Sequence, residues 1–136
     1  MSPLEHFQER GAGRLPGFLG LEFIEVVPNR ARGRLVLRNE HLAPNGFLHA
    51  ATIIALADTA CGYGCVASLP EGANNFTTIE LKTNFMGTAR EGAICVEANL
   101  VHGGRTTQVW DATVRDEASK RVIALFRCTE LILYPK

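Results

Sequence analysis

One carboxylate stands alone in the most apolar part of the chain. Positions 41 to 70 contain a single Asp, Glu, Lys or Arg side chain, and it is Asp58. An isolated carboxylate in apolar surroundings loses hydration, so it is normally paired, hydrogen-bonded or functional. In an active site such a group acts as a general base or a nucleophile. Asp58 is therefore the first candidate catalytic residue, and a purely structural hydrogen bond to a strand or loop is the alternative.

A second candidate feature precedes Asp58. The segment HLAPNGFLHAA contains a turn at 44–46 and then His49, near the start of a helix. The free amides of Ala50 and Ala51 at such a helix end can polarise a carbonyl or hold an oxyanion. Ala50 and Asp58 are eight residues apart, roughly 12 Å along a helix axis. This is too far for both to act on one carbonyl, so if they act together they come from two chains. His49 alone is weakly specific, since a His at a helix start is more often a capping or packing residue.

The surrounding pattern predicts the elements that hold these residues. The Ala-rich stretch from His49 to about Leu69 is apolar all round, which is typical of a buried helix. A short helix is expected in the first ~15 residues, ending near Gly11 to Gly13. The strand-like runs are LEFIEVV and RGRLVLR before the central helix, and FTTIELKTNF, AICVEANLV, TTQVWDATV and RVIALFRCTELIL after it. The expected fold is α+β, a long central helix wrapped by a mostly antiparallel sheet of about six strands.

The central helix is long enough to cross a membrane, which is the competing interpretation. Asp58 near its middle would cost several kcal/mol in lipid, and the flanking strands need something to pack on. We therefore expect no membrane segment.

Strict alternation in FTTIELKTNF predicts two faces for that strand. Ile79, Leu81 and Phe85 fall on one face, which should cover the strand's own helix, and Thr78 falls on the other with Glu80, Lys82 and Asn84. On this pattern Thr78 points away from the helix of its own chain. It must serve a site shared with a partner, or none.

Length and charge narrow the class of protein. The 136 residues fit one domain, 1–136, with 1–16 as an N-terminal helical extension. The chain has 14 Lys and Arg residues in total and 14 Asp and Glu residues, so its net charge is zero. No overall electrostatic field therefore favours binding to nucleic acid or to an anionic membrane. The four cysteines form no CxxC pair and the N-terminus lacks an apolar signal core, which favours a reducing cytoplasm with buried free thiols. Cys61 and Cys65 have no second ligand pair nearby, so no metal is expected.

The segment GGRTT, at 103–107, opens a predicted strand. Its glycines would let backbone amides approach a ligand, and Arg105 could bind a phosphate. A β-turn with a solvated arginine is the simpler interpretation of this segment taken alone.

Three segments together resemble a known family. HLAPNGFLHAATIIALADTACGYG, FTTIELKTNFMGTAREG and LVHGGRTTQVWDATV are similar to the phenylacetate-degradation-type (PaaI-like) acyl-CoA thioesterases of the hotdog superfamily. The resemblance covers roughly residues 17 to 134. Its most specific element is a G-x-x-H-(G/A) turn, here Gly46, His49 and Ala50, followed by L-A-(D/E) at 56–58. It implies a long helix wrapped by a curved antiparallel sheet and homodimers that pair edge strands into a continuous sheet, either alone or as a dimer of dimers.

The resemblance also implies roles for single residues. Asp58 would be the nucleophile or general base, and the Ala50 amide of the opposite subunit would polarise the thioester carbonyl, beside His49. Thr78 would orient water or substrate. Many members place Asn six residues before the His, where this chain has Ala43, so Asn45, four before it, is the candidate for positioning the carbonyl. Coenzyme A would lie against two turns, formed by Gly87, Thr88 and Arg90 and by His102, Gly104, Arg105 and Thr106.

The sequence therefore predicts a cytoplasmic acyl-CoA thioesterase that hydrolyses an acyl- or aroyl-CoA to the free acid and coenzyme A, with no cofactor and no metal. Its expected partners are the small-molecule thioester and further copies of itself. One alternative is a hotdog enoyl-CoA hydratase or dehydratase, which needs a His and Asp acid/base pair, whereas His49 lies at the cap. The other is a non-catalytic acyl-CoA-binding protein in which Asp58 is structural. The acyl group and the choice of dimer or tetramer stay open.

Overall fold

The computed structural model describes residues 2–136. Its helices are α1 (Pro3–Ala12), α2 (Leu15–Leu19) and α3 (Ala50–Ala67), with a 3₁₀ turn at Asn39–His41. Its strands are β1 (Glu22–Val27), β2 (Arg30–Val36), β3 (Asn75–Phe85), β4 (Ala93–Gly103), β5 (Thr107–Asp116) and β6 (Val122–Leu133). The observed order of elements is the predicted one, with one additional short helix.

The six strands form one antiparallel sheet in the order β1-β2-β4-β5-β6-β3. Helix α3 packs against all six of them, so the sheet curves around the helix. Alternate residues of β4 lie in the core, as the pattern predicts: Ile94, Val96 and Ala98 are buried. The predicted α+β architecture is confirmed.

Helix α3 fits inside the sheet because small residues let neighbours approach it closely. A Cβ atom on Gly64 would lie 2.5 Å from Trp110 Cη2, and one on Gly62 would lie 2.8 Å from Phe76 Cζ. Both contacts are too short for any residue but glycine. Among the described helices α3 alone has the length and hydropathy of a membrane span, but half of it is buried inside the protein, as a core helix would be.

The N-terminal helix closes one side of α3. Its N-terminus carries a capping box in which Ser2 and Glu5 satisfy each other's backbone amides. Phe7 then stacks on Tyr63 of α3, with ring centroids 4.8 Å apart. Helix α1 ends at Ala12, within the predicted region.

Strand β3 corrects one prediction from the sequence. Its pairing with β6 shifts between Thr78, which faces Glu130, and Glu80, which faces Thr129, so Ile79 is an extra residue in a β-bulge. Because the bulge resets the alternation, Thr78 lies on the inner face together with Leu81. The prediction that Thr78 points away from its own helix was wrong, since strict alternation ignores an inserted residue.

Strand β3 is also an edge of the sheet, bonded only to β6. It runs for 11 residues, and it exposes the large apolar side chains of Ile79, Leu81 and Phe85. A long edge with unpaired backbone groups and exposed apolar side chains is a template for pairing with another chain.

Candidate active site

Asp58 lies in the middle of α3 and is half-buried. Its Oδ1 is 3.3 Å from the hydroxyl of Thr78, which donates to it from the inner face of β3. Burial raises the pKa of Asp58, and the hydrogen bond from Thr78 lowers it. Asp58 Oδ2 has no hydrogen-bond partner among residues 2–136. The structure thus joins two of the predicted site residues within one chain and leaves one carboxylate oxygen free for a ligand.

A cavity of about 560 Å³ opens beside Asp58. Tyr63 and Phe76 contribute aromatic walls, and α1 contributes Arg10 and Arg14. Neither arginine has an ion-pair partner in the part of the chain that the structure describes. The cavity therefore combines an apolar surface, one carboxylate and two uncompensated positive charges.

The other predicted catalytic group is the N-terminus of α3. His49 is the N-cap, and its Nδ1 accepts a hydrogen bond of 2.9 Å from the Ala51 amide. Ala50 is the first helical residue, so its N–H has no acceptor within the helix. No other acceptor for it is found in residues 2–136. The structure therefore gives His49 a capping role and leaves the Ala50 amide available, as the sequence predicts.

Asn45 lies in the turn before this helix end. Its Oδ1 accepts a hydrogen bond of 3.2 Å from the Phe47 amide, and the next residue, Gly46, has a φ of +87°. The side chain thus stabilises the turn in the conformation that glycine permits. In this conformation the amide oxygen is already engaged.

One chain does not bring the two halves of the candidate site together. Asp58 borders the cavity described above, whereas His49 and Ala50 do not. Both groups lie on α3, so the separation of roughly 12 Å derived from the sequence holds in the structure.

The two turns expected to hold coenzyme A lie at opposite ends of α3. The 87–90 turn is beside the N-terminus, where Thr88 Oγ1 accepts a hydrogen bond of 3.1 Å from the Leu48 amide and Arg90 Cζ stands 4.7 Å from the Phe47 ring. The 102–106 turn is beyond the C-terminus, where Arg105 Cζ stands 5.8 Å from the Tyr134 ring. Because 18 residues of helix span about 27 Å, one chain keeps these turns well apart.

The sequence analysis missed Glu130, a fully buried carboxyl group on β6. Its Oε1 lies 2.8 Å from Thr78 Oγ1, within hydrogen-bond distance, and its Oε2 has no partner within residues 2–136. The signal was present, because Glu130 shares its alternation with Cys128 and Phe126 on the otherwise apolar face of that strand. The reasoning that singled out Asp58 applies equally to this residue.

Comparison with known proteins identifies the family of the chain. Residues 45–123, more than half of the chain, match the Thioesterase superfamily. The chain belongs to this superfamily. The matched region runs from Asn45 through α3 and β3 to the start of β6, so it contains both Asp58 and the helix N-terminus.

Individual proteins resemble most of the chain. ComA2 of Bacillus subtilis is 30% identical over 85% of this chain and 90% of its own length. The 1,4-dihydroxy-2-naphthoyl-CoA hydrolase of Escherichia coli is 28% identical over 96% of this chain and 94% of its own. A crystal structure of a thioesterase family protein from Silicibacter pomeroyi superposes with a TM-score of 0.86 at 26% identity, covering 98% of this chain and 100% of that one. The predicted hotdog fold and thioester-hydrolase class are confirmed.

Proposed function

We propose that this protein hydrolyses the thioester bond between coenzyme A and an acyl or aroyl group, releasing the free acid and coenzyme A. One observation carries the proposal: a half-buried carboxylate, Asp58, borders a cavity with one oxygen held by Thr78 and the other unpaired. A relative that is 28% identical over almost the full length is named a 1,4-dihydroxy-2-naphthoyl-CoA hydrolase. Its named substrate is an aroyl-CoA, which supports the same substrate class here.

We place the complete site at a homodimer interface. Thr78, which touches Asp58, lies on the edge strand β3, so a second chain paired along that edge would stand next to the carboxylate. The exposed apolar side chains of β3 favour such pairing. A two-fold axis at this edge would place the partner's Ala50 amide beside Asp58. The two groups could then act on one carbonyl, although they lie roughly 12 Å apart on a single helix.

In this site the chemistry needs only water and groups of the two chains. The partner's Ala50 amide stabilises the negative charge that develops on the thioester oxygen. Asp58 either takes a proton from a water molecule that attacks the carbonyl carbon, or attacks that carbon itself and forms an anhydride that water then cleaves. The C–S bond breaks, coenzyme A leaves as the thiolate and is protonated by water. No cofactor or metal enters either route.

The cavity beside Asp58 suits an aromatic acyl group with a polar or anionic substituent. Tyr63 and Phe76 offer ring surfaces, while Arg10 and Arg14 offer donors without competing acceptors in the described chain. A hydroxyl or carboxylate on the acyl group would pair with them. The nucleotide of coenzyme A would rest outside, on the 87–90 turn of one chain and the 102–106 turn of its partner, with Arg105 available for a phosphate.

A cytoplasmic location agrees with the thiols of the protein. All four cysteines are free, and Cys61, Cys65 and Cys128 are buried. Free thiols in this number are usual in a reducing compartment.

The direct test of the function is release of free thiol from a panel of acyl- and aroyl-CoA esters. Asp58→Asn keeps the shape of the side chain but removes its charge, so kcat should fall by at least about 100-fold while the fold survives. Asp111→Asn, on the exposed outer face of β5, is the matched control and should be active. Near-normal turnover by a folded Asp58→Asn protein would refute the catalytic assignment.

The same panel separates the alternative functions. A hydratase would consume the enoyl double bond without releasing thiol, and a binding protein would retain the ester unchanged. Single-turnover hydrolysis in ¹⁸O-labelled water tests for the anhydride, because a first product without label, with the label in Asp58 instead, must have taken its oxygen from the carboxylate.

A further inference from the structure

Behind Thr78 lies a second carboxyl group that the reaction just described does not use. Glu130 has an exposed fraction of 0%, and its Oε1 is 2.8 Å from the Thr78 hydroxyl. That hydroxyl also lies 3.3 Å from Asp58 Oδ1. One hydroxyl group therefore bridges a completely buried carboxyl group and the candidate catalytic carboxylate.

The surroundings of Glu130 contain no positive charge. The ionisable groups that face it are Asp58 and Cys65 from α3 and Cys128 from its own strand. Thr78 on β3 and Gln108 on β5, which pair with it across the sheet, are neutral. No Lys, Arg or His of residues 2–136 forms an ion pair with it. An ionised carboxylate would thus be buried without compensation and next to a like charge.

Such a group is stable only in its protonated form. Burial raises the pKa of Glu130 and the negative charge of Asp58 raises it further, whereas hydrogen bonding of the ionised form to Thr78 and Cys128 lowers it; the pKa is raised on balance. These surroundings favour the neutral form of Glu130 while Asp58 is ionised.

The protonation of Glu130 decides the direction of the hydrogen bonds. A threonine hydroxyl has one proton to donate and accepts through its lone pairs. If Glu130 were ionised, it would compete for that proton over the shorter distance, and Asp58 would face a lone pair. If Glu130 carries a proton, it donates to Thr78, and the Thr78 proton is free to point at Asp58.

We propose that Glu130 is a positioning residue which, as a neutral acid, donates a hydrogen bond to Thr78 and thereby fixes the Thr78 hydroxyl as a donor to Asp58. This relay would hold Oδ1 of the Asp58 carboxylate and leave Oδ2 oriented toward the cavity. The inference rests on the proposed function, since it assigns to Glu130 an effect on the reactivity of Asp58.

The test compares three single variants in the thiol-release assay. Glu130→Gln retains a neutral donor of nearly the same shape and should keep kcat within about threefold. Glu130→Met removes the donor and should lower kcat about tenfold or more, the size of one hydrogen bond to a charged group, with KM almost unchanged. Thr78→Val should do the same. Thr83→Val is the control, because Thr83 is on the same strand and its buried hydroxyl has no partner in the described chain.

Two readouts separate positioning from mere support of the fold. The double variant Thr78→Val with Glu130→Met should be no slower than the slower single variant, because both remove the same relay. The acidic limb of the kcat/KM profile should move to higher pH in Thr78→Val, because Asp58 loses the donor that lowers its pKa. It should move in the same direction but less far in Glu130→Met, where the Thr78 hydroxyl remains but its proton is no longer held toward Asp58. Thermal unfolding should show all variants folded, since replacing a buried acid by an apolar side chain of similar volume is usually tolerated.

Several results would overturn the proposal. If the acidic limb moves to lower pH in Glu130→Met, then Glu130 was an ionised neighbour and not a donor. Equal impairment of Glu130→Gln and Glu130→Met would also refute it. The ligand atoms of Asp58, Cys128 and Glu130 lie within 4.8 Å of one another, so loss of activity on treatment with EDTA and its recovery with zinc would show a metal site in place of the relay. Absence of thiol release by the unaltered protein would instead refute the proposed function itself.

Discussion

The two-chain active site predicts that two inactive variants restore each other. Ala50→Pro deletes the proposed oxyanion donor, and Asp58→Ala deletes the carboxylate. Ala50 is the first residue of α3, where proline is tolerated, and His49 has φ −66° and ψ 133°, the extended conformation that a residue before proline prefers. Each variant should therefore fold as a dimer, and each alone should be nearly inactive.

The expected recovery follows from the geometry of the pair. In a hybrid dimer one site has both lesions, while the other combines an intact amide from one chain with an intact carboxylate from the other. Random exchange of equal amounts makes about half of the dimers hybrid, and each hybrid has one working site of two. The mixture should therefore regain about a quarter of the unaltered activity. Ala50→Ser, which keeps the N–H, is the control for Ala50→Pro and should remain active.

The assay is thiol release before and after subunit exchange, with exchange verified by mass spectrometry of tagged chains. If verified hybrids recover no activity while both parents are folded dimers, the two groups do not act across an interface. Activity of Ala50→Pro by itself would show that the amide is not the oxyanion donor.

Three further predictions concern the substrate and pH. Arg105→Ala should raise KM for acyl-CoA far more than it lowers kcat, and it should not affect short thioesters that lack the nucleotide; equal loss on both would indicate damage to the site. Replacing Arg10 and Arg14 by Ala should slow hydrolysis of carboxy- and hydroxybenzoyl-CoA but not of benzoyl-CoA, and equal slowing of all three would argue against their proposed role. The folded protein holds the Glu130 proton above the ordinary pKa of 4.5, so the free energy of unfolding should fall as pH rises from there through the raised pKa. In denaturant titrations the free energy of unfolding should fall less steeply with pH for Glu130→Gln than for the unaltered protein. For the exposed control Glu97→Gln the fall should equal that of the unaltered protein.

Most of the fold follows from patterns that depend on neighbours in the sequence. The apolar stretch around Asp58 predicts the buried helix, and the alternation of β4 predicts its core face, because both signals are local periodicities. The Ala50 to Asp58 separation follows from helix geometry alone. These features needed no knowledge of the rest of the chain.

The contacts of Thr78 could not be predicted in this way. The bulge at Ile79 arises from pairing between β3 and β6, which are distant in sequence. One inserted residue reverses the face of the residues on one side of it relative to those on the other, so a pattern that fits Leu81 assigns Thr78 to the wrong face. Glu130 was accessible to sequence reasoning through its alternation, but its bond to Thr78 depends on the same long-range register. The cavity lining supplied by α1 likewise required the tertiary structure.

The bulge at Ile79 also bears on how chains of different length should be aligned. Thr78 pairs with Glu130 and Glu80 pairs with Thr129, so these flanking pairs would be direct neighbours in an unbroken ladder if residue 79 were absent. Strand β3 can thus lose one residue here without moving Thr78 or Leu81 to the other face. An alignment of homologues that forces an ungapped β3 would then shift one flank by one position. A gap placed at residue 79 keeps the residue opposite Asp58 in its correct column.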